Sequence, residues 1–229
     1  MPSKVVGKVT GGTVAPSPFA IGPLSNTGRA ELRFKPSFIA HQSWVNPVVG
    51  ATNAYVTAKT STALPAAAGS VTFSPDGAVA AADYARNVTI TVTHGSSVVA
   101  ASGVITGKDE YGTTITEAWS VTATGTSKTY TGKKAFAYIT SVTYVTAADA
   151  TANTFVCGTG NVFGLNFVCS CPSGVKETSG GTVVTNGTVV AGSTASTDDL
   201  RGTYAPNAAP NGTLDFEIWY LANEPSTCT

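Results

Sequence analysis

Charge is scarce in this sequence. Asp, Glu, Lys and Arg make up 11% of the 229 residues, against roughly 25% in an ordinary globular domain. Thirteen basic residues face thirteen acidic ones, so no net field draws the chain to nucleic acid or to an anionic membrane. No apolar run approaches the roughly 20 residues of a membrane-crossing helix. The start, Met1-Pro2-Ser3-Lys4-Val5-Val6-Gly7-Lys8, lacks the apolar segment of a secretory signal, and the expectation is folding in a cytoplasm. Two histidines and four cysteines leave little for nucleophilic or metal chemistry. Sustained helical or heptad spacing is missing, and no solenoid-type repeat recurs.

Glycine (24) and proline (12) are frequent, and Thr, Ser, Ala and Val fill the spaces between them. That composition describes many short strands joined by turns. Hydroxyls in place of charges give a surface that repels itself weakly, which suits a protein covered by neighbours.

The clearest pattern lies between Tyr84 and Val145. Asn87 to Thr93 alternates apolar and hydroxyl residues. Further on, Ile115, Glu117, Trp119 and Val121 share one face, and Thr114, Thr116, Ser120 and Thr122 the other. Period-two alternation with β-branched residues predicts strands. Asp109-Glu110-Tyr111-Gly112 reads as a turn, with Gly112 free to take a positive φ. From Lys133 to Val145 the alternation slips between Tyr138 and Ile139, which predicts a β-bulge or a change of sheet.

Residues Met1 to Gly28 are rich in Gly and Pro and poor in apolar residues, so they cannot build a core of their own. They read as a disordered tail or as an extended arm laid on a neighbour. Glu31 to Lys35 alternates and predicts the first strand, ended by Pro36. Asn53–Lys59 and Val71–Phe73 are weaker strand candidates, and Ala78 to Ala85 predicts a helical turn. Thr154–Cys157 and Val162–Phe167 flank Gly158-Thr159-Gly160-Asn161, expected to be a turn. Asn186-Gly187 between two Val-rich runs carries the signature of a type I′ hairpin, expected to project from the body. Asp215 to Leu221 closes the fold, with Phe216, Ile218 and Tyr220 opposite Asp215, Glu217 and Trp219. The three Asn-x-Thr sequons, at Asn87, Asn186 and Asn211, are read as turn and strand chemistry.

The string Gly107-Lys108-Asp109-Glu110-Tyr111-Gly112-Thr113-Thr114-Ile115-Thr116-Glu117 resembles a pattern in small virion structural proteins of tailed bacteriophages. Thr131-Gly132-Lys133-Lys134-Ala135-Phe136, Gly158 to Leu165 and Leu200-Arg201-Gly202-Thr203-Tyr204-Ala205-Pro206 match as well. Together they look like a capsid decoration, or cement, protein across Tyr84 to Leu221. Cys169-Ser170-Cys171 and the Ser/Gly-rich run around Asn186 fall outside the pattern. The resemblance implies a β-sandwich bound to the exterior of an icosahedral shell, with the major capsid protein as partner and no catalysis.

Few residues suggest chemistry. His41 reads as a loop residue and His94 as a turn residue, neither beside a nucleophile. Cys157, Cys169, Cys171 and Cys228 lack zinc spacing. Free thiols are the first reading, a disulfide from Cys157 to Cys169 or Cys171 the second, and zinc the last. Glu117 shares a face with Ile115 and Trp119, so it is expected to be buried and paired, with Arg86, Lys133 or Lys134 as the counter-charge. Glycoside hydrolysis needs a second opposed carboxylate, and no phosphate-binding Gly-rich loop is present.

The expectation is therefore an all-β antiparallel sandwich of jelly-roll or immunoglobulin-like type. Residues 1–30 form an extended arm, and 31–229 the sandwich with a hairpin excursion at 172–197. No enzyme activity and no cofactor are expected. The weak electrostatic barrier and poorly blunted edges predict a homo-oligomer, a trimer foremost, on a symmetry axis of the shell. Trp219, with Asp215 and Glu217, is the candidate contact. A carbohydrate-binding module presenting Trp44, Trp119, Trp219 and Tyr204 is the rival reading, and a polysaccharide-degrading enzyme the next.

Overall fold

The structure, a computed structural model, describes residues 20–21, 32–33, 37–60, 62–77, 81–93, 99–123, 127–147, 150, 152–169 and 175–223. The expected arm lies outside them except for Ala20–Ile21, and so do His94, Cys171 and Cys228.

The described residues form fifteen strands. They are β1 Ala20–Ile21, β2 Leu32–Arg33, β3 Ser37–Trp44, β4 Val56–Lys59, β5 Gly69–Phe73, β6 Ala81–Thr93, β7 Val99–Lys108 and β8 Thr114–Ala123. After these come β9 Lys128–Thr146, β10 Thr154–Gly164, β11 Lys176–Ser179, β12 Thr182–Val184, β13 Thr188–Ala191, β14 Gly202–Ala205 and β15 Phe216–Asn223. A nine-stranded sheet has the order β13-β14-β10-β6-β9-β7-β8, with β4 on β10 and β5 on β9, and a four-stranded sheet has the order β12-β11-β15-β3. The fold is an all-β antiparallel sandwich, as the alternation predicts.

Period-two patterning accounts for the interior. Val88, Ile90 and Val92 of β6 point inward, as do Glu117, Trp119 and Val121 of β8. A first hydrophobic cluster gathers the apolar ones among these with Tyr55, Phe136, Tyr144, Phe155 and Cys157. The second lies between the two sheets, where Trp44, Phe216, Ile218 and Tyr220 meet Phe163, Leu165 and Tyr204.

Several expectations are corrected, and one strand is new. The partner of β8 is β7, which alternation did not reveal; Gly103 belongs there because a Cβ would fall 1.7 Å from Thr143 O. The turn between them is the expected one, with Gly112 at φ 80. Ala81 to Ala85 is strand, not helix. Gly158 to Asn161 is no turn, since β10 continues through it with a register shift against β6 between Thr159 and Phe163, and Gly158 and Gly160 let the Ala51–Thr52 backbone and Asn87 approach closely. His41 sits within β3, a strand the alternation did not reveal. The slip in β9 is a bulge: Thr106 pairs with Ser141 and Gly107 with Ile139, leaving Thr140 as the extra residue.

The projecting hairpin is also corrected. β12 pairs with β11 in the small sheet, while β13 pairs with β14 in the large one. Asn186-Gly187 is thus a crossover between sheets. Gly187 is there for room, because a Cβ would lie 2.0 Å from Ala205 O. The tight hairpin is β11–β12, turning through Gly180 and Gly181 at φ 55 and φ 76.

Candidate functional site

The strongest candidate is the segment that follows β3. Its anchor is Trp44, buried against Phe163 and Tyr204 with ring centroids 5.0 and 6.0 Å away. From Val45 to Gly50 no ladder exists, yet side chains from the body hold the backbone group by group. Tyr84 Oη accepts from Val45 N at 2.8 Å and donates to Val45 O at 3.0 Å. Asn46 N donates to Asp215 Oδ1 at 2.9 Å, Val48 N to Asp83 Oδ2 at 3.1 Å and Gly50 N to Asn161 Oδ1 at 2.7 Å. Pro47 O accepts from Gly212 N at 2.9 Å. Asn46 takes φ 47, a left-handed conformation that Asn tolerates better than most residues.

Arg86 is the keystone of this arrangement. Fully buried on β6, it donates from Nη1 to Val48 O at 2.6 Å and from Nη2 to Asp83 Oδ2 at 2.5 Å. Its guanidinium lies 4.6 Å from the centroid of Phe163. A buried guanidinium is costly unless paired, and here it is spent on one surface segment.

With the backbone fixed, Val45, Val48 and Val49 stand out at 57, 55 and 56% exposure. The turn at Asn211–Leu214, with Leu214 also exposed, borders Val48. An apolar patch on a pre-ordered backbone can dock without a further loss of backbone entropy. Sequence reasoning missed this site. The signal available was a charged pair, Asp83 and Arg86, inside an otherwise neutral strand.

The sequence-nominated contact residues are only partly brought together. Glu217 and Trp219 lie on the outer face of β15, opposite buried Phe216, Ile218 and Tyr220. Asp215 precedes the strand and is engaged by Asn46 N, so it positions the valine segment. Trp219 pairs with His41 of β3 on one side and Lys176 of β11 on the other. His41 stacks on the indole at 4.7 Å and lies 3.6 Å from Glu217 Oε2. Lys176 Nζ lies over the indole at 5.9 Å. The indole therefore stands between two flanking side chains and offers an edge, not a stacking face for a sugar. Trp44, Trp119 and Tyr204, nominated for the same role, are buried.

Glu117 is buried as expected, but its partners are corrected. They are backbone amides, not a counter-charge: Lys133 N at 2.6 Å and Lys134 N at 3.3 Å, with the Tyr130 hydroxyl at 3.0 Å. Burial pushes the carboxyl above its ordinary value, and these donors oppose the shift. Arg86 serves the valine segment instead, and Lys134 Nζ donates to Thr116 O at 2.8 Å. A cleft of about 440 Å3 opens beside Glu117, bordered by Tyr130, Lys133 and Ser196–Thr197. It holds one carboxylate, already engaged by three donors.

Cys157 is a free thiol in the first cluster, and burial pushes it up to about 12. Cys169 is buried in the second cluster. Cys157 and Cys169 lie in separate clusters and form no bridge, and Cys171 lies outside the described residues. Among the described residues no group of three His, Cys, Asp or Glu is placed to hold a metal ion.

Compared with family models, curated proteins and solved structures, the chain matches none.

Proposed function

We propose that the chain is a structural protein of a virus particle, without enzymatic activity, that decorates the outside of an icosahedral capsid and stabilises it by bridging neighbouring major capsid subunits. One observation carries this reading: Val45, Val48 and Val49 are held outward on a backbone fixed by Tyr84, Asp83, Arg86 and Asp215. Apolar side chains on a rigid frame suit a permanent contact, since little ordering is left for binding to cost. The sparse charge of the surface supports the same reading, because a protein packed among neighbours need not repel them. The resemblance of the motifs between Tyr84 and Leu221 to cement proteins supports the major capsid protein as the partner.

Co-sedimentation with empty shells of the virus's own major capsid protein tests it. The wild type is expected to pellet with the shells, and Val48→Asp to stay in the supernatant with unchanged circular dichroism and melting. Absence of co-sedimentation, or binding untouched by Val48→Asp, overturns the reading.

A further inference from the structure

The strands at the sheet margins are protected unequally. β4, β5, β12 and β13 are short, from three to five residues. β8 is long, but side chains stand against two of its carbonyls: Lys134 Nζ donates to Thr116 O at 2.8 Å, and the Tyr130 hydroxyl, shared with Glu117, lies 3.0 Å from Ala118 O. It also carries the inward carboxylate of Glu117, a known device against edge pairing. β3 has none of these protections. It runs for eight residues, Ser-Phe-Ile-Ala-His-Gln-Ser-Trp, without Lys, Arg, Asp, Glu or Pro. Among the described residues, β15 alone pairs with it, and no side chain reaches the backbone of its other margin. Phe38 and Ile39 are exposed at 48 and 74%.

We infer that β3 pairs antiparallel with β3 of a second copy of this chain, joining two four-stranded sheets into one continuous sheet. A strand that pairs with its own copy makes every contact twice about a two-fold axis. β3 is suited to this because it brings no like charges together. Its one titratable side chain, His41, is held on Trp219 beside Glu217 of its own sheet. The chain's 13 basic and 13 acidic residues leave no net charge to oppose association. Ile39, which β15 leaves mostly in solvent, gains cover from the second copy. Antiparallel pairing sends the two valine segments to opposite ends of the joined strands, where each remains free to dock. The contact is two-fold, in place of the three-fold expectation from sequence, and it needs no capsid.

Sedimentation equilibrium of the full chain across a concentration series tests it, with hydrogen exchange read at the β3 amides. A monomer–dimer equilibrium is expected in the wild type and in Val48→Asp, with β3 amides exchanging more slowly as dimer forms. Ile39→Lys, at a solvent-facing position, is expected to lose the dimer while keeping its circular dichroism. The exchange measurement needs no variant, so it decides the matter even should Ile39→Lys fold poorly. A monomer at every concentration overturns the inference, as does any oligomer whose β3 amides gain no protection. Capsid binding is read separately: shells that bind neither wild type nor variant sink the decoration role and leave the dimer standing.

Discussion

Glu117 Oε1 lies 2.6 Å from the backbone nitrogen of Lys133, and the reason is a gap in the sheet. β9 pairs with β7 only from Tyr138 to Thr146. On its β6 side, Asn87 pairs with Ala135 and Thr89 with Thr131, so β9 bulges between them. Three successive amides at the bulge meet carboxylates: Lys133 N and Lys134 N reach Glu117, and Ala135 N reaches Asp199 Oδ2 at 3.0 Å. Carboxylates from outside the strand thus replace the missing ladder. Gly132 completes the fit, since a Cβ there would lie 2.9 Å from Glu117 Oε2.

Glu117→Ala removes that acceptor and strands two amide donors. A buried donor left unpaired costs about 1–3 kcal/mol, so for two donors a loss of about 2–6 kcal/mol is expected in urea unfolding. An unchanged midpoint would mean that water serves the amides as well as the carboxylate does.

The same carboxylate sets a pH dependence. Burial raises its folded-state value above the ordinary 4.5, against the opposing amides and the Tyr130 hydroxyl. The folded chain therefore holds this proton more tightly than the unfolded chain. Its contribution is fully present below the ordinary value and is lost as pH rises through the raised one. Wild type is expected to lose stability relative to Glu117→Gln as pH rises above the ordinary carboxylate range. A pH-independent difference between the two melting curves counts against it.

Much of this was legible in the sequence and some was not, for physical reasons. Alternation located β6, β8 and β15 and put Glu117 and Trp119 inside, because a half-buried strand must repeat every two residues. It also exposed the β9 bulge as a slip at Tyr138–Ile139. It failed at β7, whose Ala, Ser and Gly lack contrast between faces, and at β3, where Gln42 points inward to Gly164 O and Asn166 N. Glycine was ambiguous throughout: Gly112, Gly180 and Gly181 relax the backbone, whereas Gly158, Gly160 and Gly187 make room. The valine segment was the least legible feature, since its order comes from side chains distant in sequence.

Arg86→Ala is expected to release that segment. The substitution removes the donor to Val48 O and the partner of Asp83, and it opens a hole beside Phe163. A loss of roughly 3 kcal/mol is expected, with faster hydrogen exchange at Val48 and Gly50. Stability loss without faster exchange there would show that the other bonds hold the segment by themselves.

Gly181 and Gly187 serve different ends, which substitution separates. Gly181 has φ 76 and nothing within 4 Å of a Cβ, so Gly181→Ala meets only the left-handed backbone penalty, about 1–2 kcal/mol. Gly181→Asn should cost less, since Asn tolerates that region. At Gly187 the trouble is space, and Asn rescues nothing there. Asn also being the milder substitution at Gly187 would contradict the close approach to Ala205.

The two sheets are fastened where the chain crosses between them. Glu177 of β11 is fully buried, and its Oε2 accepts from the Tyr204 hydroxyl of β14, from Gly187 N at 2.8 Å and from Asn207 N at 3.3 Å. Asn186 secures the same corner, accepting from Glu177 N at 3.0 Å and donating to Val175 O at 2.6 Å. Burial, and then the bond to Glu177, raise the Tyr204 hydroxyl above its ordinary value, so the phenol stays protonated and able to donate. Tyr204→Phe keeps the ring against Trp44 and removes the hydroxyl, which donates to Glu177 Oε2 and also accepts from Gly187 N at 2.8 Å. A hydrogen bond to a charged group contributes about 1.5–3 kcal/mol, and a loss of that size is expected. A double-mutant cycle with Glu177→Gln isolates the pair: a coupling of about 1 kcal/mol or more is expected for residues in direct contact. Additive losses would mean that the Gly187 and Asn207 amides hold Glu177 alone and that the sheets are joined by apolar packing.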